Sequence, residues 1–353
     1  FTDYARNWGT NGITIDSNGL NYQSRDDTFT VEYGTDGMTL AITYMNATQG
    51  WVPTIDEAVT DVPVSPAYNP TGIFGFGFDD SNYVSLTNLV NSSGVIATDV
   101  TGVGQTRRYL TACEYGYDKG IFGFGHDGSS YVGMTNLVSS SGVVATDVTA
   151  VGTARTGPAA ATYGGDKGIF GFGNDGSRVG TTNLVSNAGV VASDVTGVGT
   201  GREQLGACEY SSGKDKAIFA YGYDGSSVVS VSNLVSNAGV VATDVTGVGT
   251  ARSTVSACGY GLDKGIFGFG NAGGATAITN LVSNVGVVST DVSGVGTARF
   301  DLAATQYGED KGIFAYGWST TAVSNLVSNT GVVASDVSGV GTARWAIAAC
   351  SWG

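Results

Sequence analysis

From Gly72 to its last residue the chain repeats one motif six times. GIFGFG at 72–77 returns, with substitutions, at 120, 168, 217, 265 and 312, at intervals of 48, 48, 49, 48 and 47 residues. Self-similarity at such a period restricts the fold to an array of one supersecondary unit that buries its apolar faces against copies of itself. Within each copy four short stretches rich in Val, Ile, Phe, Tyr and Thr are separated by clusters of Gly, Asp, Asn and Ser, the pattern of strands and turns. No stretch sustains an apolar period of 3.6 residues, so almost no helix is expected. Four strands in about 40–50 residues match one blade of a β-propeller.

The phase of the repeat sharpens this expectation. Each copy can be written as strand A (after an Arg, ending in AAC or a variant), strand B (GIFGFG), strand C (TNLV) and strand D (VVATDV). The first copy begins at strand B with Gly72, and the last ends with a strand A, 344–351. The missing first strand is thus supplied from the C-terminus, and joining the two ends removes exposed edges. Five B strands follow an Asp-Lys turn, whereas the first follows Asn69-Pro70-Thr71, as expected if nothing covalent joins it to its strand A. The expected fold is all-β: a six-bladed β-propeller with four-stranded blades, closed by the C-terminal strand, over 72–353. Ahead of it stand a small β module at 1–55, with strands near 12–16, 28–33, 38–45 and 50–53, and a linker at 56–71. Four of the five prolines fall within 53–70, which favours a semi-extended path.

The order of an Arg-led strand A, a Gly-rich strand B, a DG turn and strands C and D resembles the kelch-type propeller repeat, with G-F-G or A-Y-G where kelch domains carry a Gly-Gly doublet. The wording GVVATDVTGVGTAR is similar to propeller-like repeats of phage virion proteins. NGITIDSNGLNYQSRDDTFTV, followed by MTLAITYMNATQGWVPT, resembles a small β module of phage tail fibres and other particle-surface proteins; its marks are Asn11, Ile13, Ile15, Asn18-Gly19 and the run from Asn46 to Trp51. These resemblances imply a virion surface protein, a tail fibre or capsid decoration. The N-terminal module would bind other virion proteins, and the propeller would face a host glycan or protein. A module of about 55 residues is marginal alone, so assembly as a homotrimer is expected. The alternative is a secreted or cell-surface bacterial lectin-like propeller. The chain begins with Phe1 and shows no signal peptide, so an upstream segment is expected.

Composition narrows the functional classes. The net charge is −14, with only 13% charged residues, so the basic footprint that nucleic-acid binding needs is absent. No run of 18 apolar residues offers a helical membrane span. The single histidine, His126, precedes a DGSS turn at a position where the other copies carry Phe78, Asn174, Tyr223, Asn271 and Trp318; a catalytic base there is not expected, and neither an enzyme nor a cofactor or metal site is. Cys113, Cys208, Cys258 and Cys350 all fall six residues after the repeat arginine, where the other copies have Ala161 and Thr305. A slot repeated around an array reads as small buried side chains and not as a disulfide framework. The aspartates of TDV or SDV (Asp99, Asp147, Asp194, Asp244, Asp291, Asp336) recur in every copy and are expected to be structural. The arginines (Arg107, Arg155, Arg202, Arg252, Arg299, Arg344) either pair with nearby Asp or carbonyl groups or ring a channel mouth and bind an anion.

Positions at which the copies disagree are those released from building the array. One set is Phe78, His126, Asn174, Tyr223, Asn271 and Trp318; another follows the arginine: Arg108, Thr156, Glu203, Ser253, Phe300 and Trp345. The B–C and D–A loops of a propeller share a face, so both sets are expected together. Exposed aromatics beside polar groups suit a sugar or protein contact. The candidate ligand-binding residues are therefore Phe78, His126, Tyr223, Trp318, Phe300 and Trp345.

Overall fold

The computed structural model of the chain describes residues 1–28, 30–58, 71–149 and 151–353. The chain divides into two compact units, Phe1–Tyr68 and Asn69–Gly353. Most of the expected linker, 59–70, lies outside the described residues.

In the first unit β1 (Ile13–Ile15) pairs antiparallel with β2 (Val31–Tyr33), and β3 (Met38–Asn46) with β4 (Gly50–Ala58). β4 thus takes in 56–58, which the sequence assigned to the linker. Pro53 sits inside β4 beside a register shift at Ala41/Ile42, the irregular position at which a strand tolerates a residue without an N–H. Asn46 Oδ1 accepts the amides of Thr48 and Gln49 at 2.9 and 2.8 Å and closes the β3–β4 turn. Gly50 follows at φ 67°, and a Cβ there would stand 1.6 Å from the Asn21 carbonyl oxygen, so only glycine fits. Among the described residues of this unit, the buried hydrophobic side chains are Tyr22, Met38 and Leu40.

The second unit starts with β5 (Thr71–Gly75) and β6 (Thr87–Val90). Four triplets follow: β7 (Thr111–Tyr115), β8 (Lys119–Gly123) and β9 (Thr135–Val138); β10 (Ala159–Tyr163), β11 (Lys167–Gly171) and β12 (Thr182–Val185); β13 (Gly206–Tyr210), β14 (Lys216–Ala220) and β15 (Ser232–Val235); β16 (Ser256–Tyr260), β17 (Lys264–Gly268) and β18 (Thr279–Val282). The last elements are β19 (Ala303–Tyr307), β20 (Lys311–Ala315), β21 (Ser324–Val327) and β22 (Ala348–Trp352). Each of these four triplets is one antiparallel sheet, β19–β20–β21 is a fifth, and β22 joins β5 and β6 in another, giving six three-stranded sheets among the described residues. We number them one (β22–β5–β6) to six (β19–β20–β21). The C-terminal strand pairs with the first strand of the unit, Ala349 opposite Phe74 and Cys350 opposite Ile73.

Why these segments form strands follows from their two faces. In β8, Ile121 and Phe122 point to opposite sides of the sheet, and both are 0% exposed. The sheets therefore pack on both faces, which is why the B motif reads as an apolar run and not as an alternation. Each such Ile or Phe stabilises the fold by about 1.5–3 kcal/mol over its exposed state. Six hydrophobic clusters fill the junctions between consecutive sheets, and one of them packs Tyr307, Ile313 and Tyr316 of the sixth sheet on Phe74, Val90 and Ile347 of the first. First strands lie side by side along the series, with β22 beside both β7 and β19.

Strand D is a correction to the expected four-stranded unit. It meets strand C through two isolated bridges, in the first sheet Val90↔Ile96 and Thr87↔Val100, whose registers differ by one residue. A side chain fills the break: Asn88 Nδ2 donates to the Ala97 carbonyl and to Asp99 Oδ1, both at 2.9 Å. The same asparagine recurs in every sheet at 0% exposure (Asn136, Asn183, Asn233, Asn280, Asn325).

That asparagine belongs to a buried network that ties each D segment to the arginine leading into strand A of the same sheet. Arg344, 0% exposed, donates from Nε to the Phe76 carbonyl, from Nη1 to the Thr342 carbonyl and from Nη2 to Asn88 Oδ1, at 2.9, 3.0 and 2.6 Å. Thr342 donates its amide and hydroxyl to Asp99. Burial would raise the Asp99 carboxyl, but the bonds from Thr342 and Asn88 and the charge of Arg344 hold it below its ordinary range. The guanidinium also lies 4.4 Å over the Tyr316 ring of the neighbouring sheet. All six repeat arginines are fully buried in this manner, which rules out an anion ring at a channel mouth.

The four cysteines are buried and unpaired. Their sulfurs stand 2.4–2.7 Å from where a Cβ would sit on Gly120, Gly168, Gly265 and Gly312 of the adjoining sheet. The slot holding Ala161 instead faces Ala217 across the third–fourth sheet junction. Slot and facing position thus exchange volume as a pair.

Candidate functional site

The two variable sets come together pairwise. Bridges join Phe78 to Trp345, His126 to Arg108, Asn174 to Thr156, Tyr223 to Glu203, Asn271 to Ser253 and Trp318 to Phe300. Most pairs exchange both backbone bonds, as His126 and Arg108 do at 2.9 and 3.0 Å. A third position joins the row: Tyr83 bridges Phe78, Tyr131 bridges His126, and Arg178, Val228 and Ala275 take the same place in the next three sheets.

The side chains are unevenly distributed. Rings run in contact from Tyr131 to His126, Tyr83, Phe78, Trp345, Trp318 and Phe300, with successive centroids 5.7, 6.1, 5.1, 5.4, 5.3 and 6.2 Å apart. Tyr109 adds a contact to Trp345 at 6.0 Å. This patch covers the first, second and sixth sheets. The third and fifth carry Thr156, Asn174, Ser253 and Asn271 at the same places. Tyr223 stands apart: the Arg178 guanidinium lies 5.2 Å over its ring and pairs with Glu203 at 2.7 Å. Of the candidate anchors, Trp318 is exposed at 40%, while Phe78, His126, Phe300 and Trp345 are half-buried. The expectation of uniformly exposed anchors is corrected accordingly, because neighbouring rings cover one another. Tyr83, Tyr131 and Tyr109 were missed by sequence reasoning, although their positions also disagree among the copies.

At the centre of the patch sits Arg108. Its Cζ is 4.9, 5.1, 5.1 and 5.3 Å from the ring centroids of Trp345, Phe78, Tyr83 and Tyr109. Trp345 Nε1 donates to Asp80 Oδ1 at 2.9 Å. His126 Nδ1 accepts the Gly128 amide at 3.1 Å, which leaves Nε2 as the ring atom for other partners.

Beside this face the first strands line a cavity of about 110 Å³. Its rim is the second residue after each arginine: Tyr109, Gly157, Gln204, Thr254, Asp301 and Ala346. All six adopt positive φ, and the amides of Tyr109, Gly157, Gln204, Thr254 and Ala346 donate to the rim carbonyl of the preceding sheet at 2.6–2.9 Å. Asp301 is buried, and burial pushes its carboxyl up to about 7 against the opposing influence of Tyr109 and Arg108.

A smaller cavity of about 50 Å³ shares six alanines with the first, among them Ala112 and Ala349, and is lined further on by Glu114, Thr162, Glu209, Gln306 and Ser351. This set too differs from copy to copy. Glu114 accepts Lys214 Nζ at 2.5 Å, from an A–B turn that is two residues longer than the others, Tyr210 pairing with Lys216 where Tyr115 pairs with Lys119. Burial pushes Glu114 up to about 7, with Lys214 opposing. Among the described residues, no group of three or more His, Cys, Asp or Glu side chains is placed to hold a metal ion.

Comparison with known proteins returned no match, either to a family model or to a curated protein.

Proposed function

We propose that the repeat unit is a closed six-bladed β-propeller of the kelch type and that it serves as a non-catalytic attachment module on the surface of a phage particle. In this reading the N-terminal module, as a homotrimer, holds the chain to other virion proteins, and the aromatic face meets a host glycan or protein. The closure is supported by β22 pairing with β5 and by the cluster between the sixth and first sheets. The particle assignment is supported by the resemblance of both parts to virion proteins.

The observation that carries the binding role is the contiguity of the aromatic substitutions. Relaxed drift at exposed loops would scatter large side chains over all six sheets. Here they gather into one run across three adjacent sheets, with an exposed Trp318 between Trp345 and Phe300, and clustered aromatics supply much of the energy of protein and sugar contacts. The test is adsorption of the purified chain to host cells, together with antibody labelling of intact particles. Labelled particles and adsorption lost in Trp318→Ala are the expected results. Labelling of a bacterial cell surface instead would move the protein to the lectin-like alternative, and adsorption unchanged by Trp318→Ala would overturn the binding face.

A further inference from the structure

Arg108 breaks the rule that every other buried or half-buried arginine of the repeat unit obeys. Its neighbour Arg107 spends Nε, Nη1 and Nη2 on the Phe124 carbonyl, the Gln105 carbonyl and Asn136. Arg178 is paired with Glu203. Among the described residues, Arg108 has no ion pair, and its buried Nε has no hydrogen-bond partner. A guanidinium carries five donors in a planar fork; of these the buried Nε–H of Arg108 is withdrawn from water without an acceptor, which is unfavourable. The four surrounding rings attract its charge, but they accept none of those N–H groups in the manner of an oxyanion.

We propose that this face takes an acidic saccharide, with one carboxylate or sulfate ester of the sugar on the outer edge of the Arg108 guanidinium and the pyranose ring against Trp345 and Trp318. The proposal rests on the reading of this face as a binding site. A fork of parallel donors matches a planar oxyanion, and Trp318, 40% exposed and edge-to-face with Trp345 at 5.3 Å, offers an indole surface to the C–H face of a sugar. Asp80 and Asp127 border the patch, where they already accept bonds from Trp345 and Gln105. With a net charge of −14, they repel a densely charged polyanion and admit an isolated charge. The specificity is therefore for a sparsely charged acidic glycan and not for a nucleic acid or a heavily sulfated chain.

The experiment is calorimetric titration of the full chain with three oligosaccharides of the same backbone: one ending in a uronate, one in a sulfated sugar and one uncharged. The wild type should bind one of the acidic forms about 10- to 100-fold more tightly than the uncharged one, the range expected for hydrogen bonds to a charged group. The acidic form that binds identifies the anion. Arg108→Met, which keeps an apolar stem among the rings, should abolish that preference, and Arg108→Lys, which keeps the charge without the fork, should retain only part of it. Acidic sugar bound equally well by Arg108→Met overturns the proposal. An uncharged sugar bound as tightly as the acidic ones, in a manner that needs Trp318 and not Arg108, overturns it while leaving the binding face standing. No binding of any of the three also overturns it, and host-cell adsorption then decides separately whether the face binds at all. If Arg108→Met lowers the melting temperature too far to titrate, the Arg108→Lys arm carries the same decision.

Discussion

In the N-terminal module the buried hydrophobic side chains are Tyr22, Met38 and Leu40, while Phe1, Tyr4, Leu20, Tyr44, Met45 and Ile55 are exposed. In the repeat unit the middle strand of every sheet buries an Ile and a Phe completely, and each junction adds a buried arginine network. Among its described residues the module buries few apolar side chains and leaves several exposed. The repeat unit meets its burial requirement many times over with one solution. That redundancy frees its remaining positions to differ, and the aromatic face is where they do.

Removing 344–353 should produce the largest effect and should fall on the repeat unit alone. It deletes β22, the Arg344 bonds to Phe76 and Asn88, and the buried Trp352. Loss of one buried charge network already costs about 3–5 kcal/mol, and the missing strand adds to it. The expected fall in melting temperature is more than about 10 °C, with the signal of the module unchanged. A truncated chain that melts like the full one would show that the C-terminal strand is dispensable and that the comparison of the two units is wrong.

Much of this architecture was legible because each feature was written six times. The strand positions, the small cysteine slot and the structural arginines follow from residues that recur at fixed offsets, such as Arg252, Cys258 and Asp291. What was not legible depends on geometry between strands. Strand D was misjudged because its break is filled by the Asn side chain of strand C, which a propensity pattern does not reveal. Residues 56–58 were assigned to the linker because the bulge that carries β4 past Pro53 needs a partner strand. Arg108 was noted as variable, but that four rings from two sheets surround it depends on the packing of one sheet beside the next.

A second contrast between the units is pH dependence. Asp301 and Glu114 are buried and pushed up from their ordinary 3.8 and 4.5 to about 7. A carboxyl whose folded value is raised favours the protonated native state, so its contribution is present at low pH and is lost as pH rises from about 4 to 7. In the module, by contrast, hydrogen bonds from Thr28 hold the exposed Asp26 below its ordinary value. Denaturant midpoints of the repeat unit should therefore fall between pH 4.5 and 7, and the double variant Glu114→Gln, Asp301→Asn should flatten that slope. A midpoint that is level in the wild type over this range would refute the assignment.

The paired volumes at the sheet junctions give a smaller effect of defined sign. Ala161→Cys places a sulfur against the Ala217 methyl, where the other cysteines face glycine. Overpacking of this kind costs about 1–3 kcal/mol. Adding Ala217→Gly should return most of the loss, less about 0.5–1 kcal/mol for the added glycine, and the double-mutant cycle should show favourable coupling. Additive losses would mean that the two positions do not share a slot.

The smallest effect on stability should accompany the largest effect on binding. Trp318 is 40% exposed and touches Trp345 and Phe300 at its edge, so Trp318→Ala should cost about 0.5–1 kcal/mol. Trp345 is held between rings and bonded to Asp80, and its truncation should cost roughly 2–3 kcal/mol; it is the poorer probe of function for that reason. Tyr223 lies outside the run, with Arg178 over it, and Tyr44 belongs to the module, where its ring meets Trp51. Host adsorption measured for Trp318→Ala, Tyr223→Ala and Tyr44→Ala should therefore fall only in the first, while Tyr44→Ala alters the oligomer seen by sedimentation. Adsorption lost equally in Tyr223→Ala would spread the site beyond the first, second and sixth sheets. Adsorption lost in Tyr44→Ala, with Trp318→Ala unaffected, would give the binding role to the module and leave the aromatic face to drift.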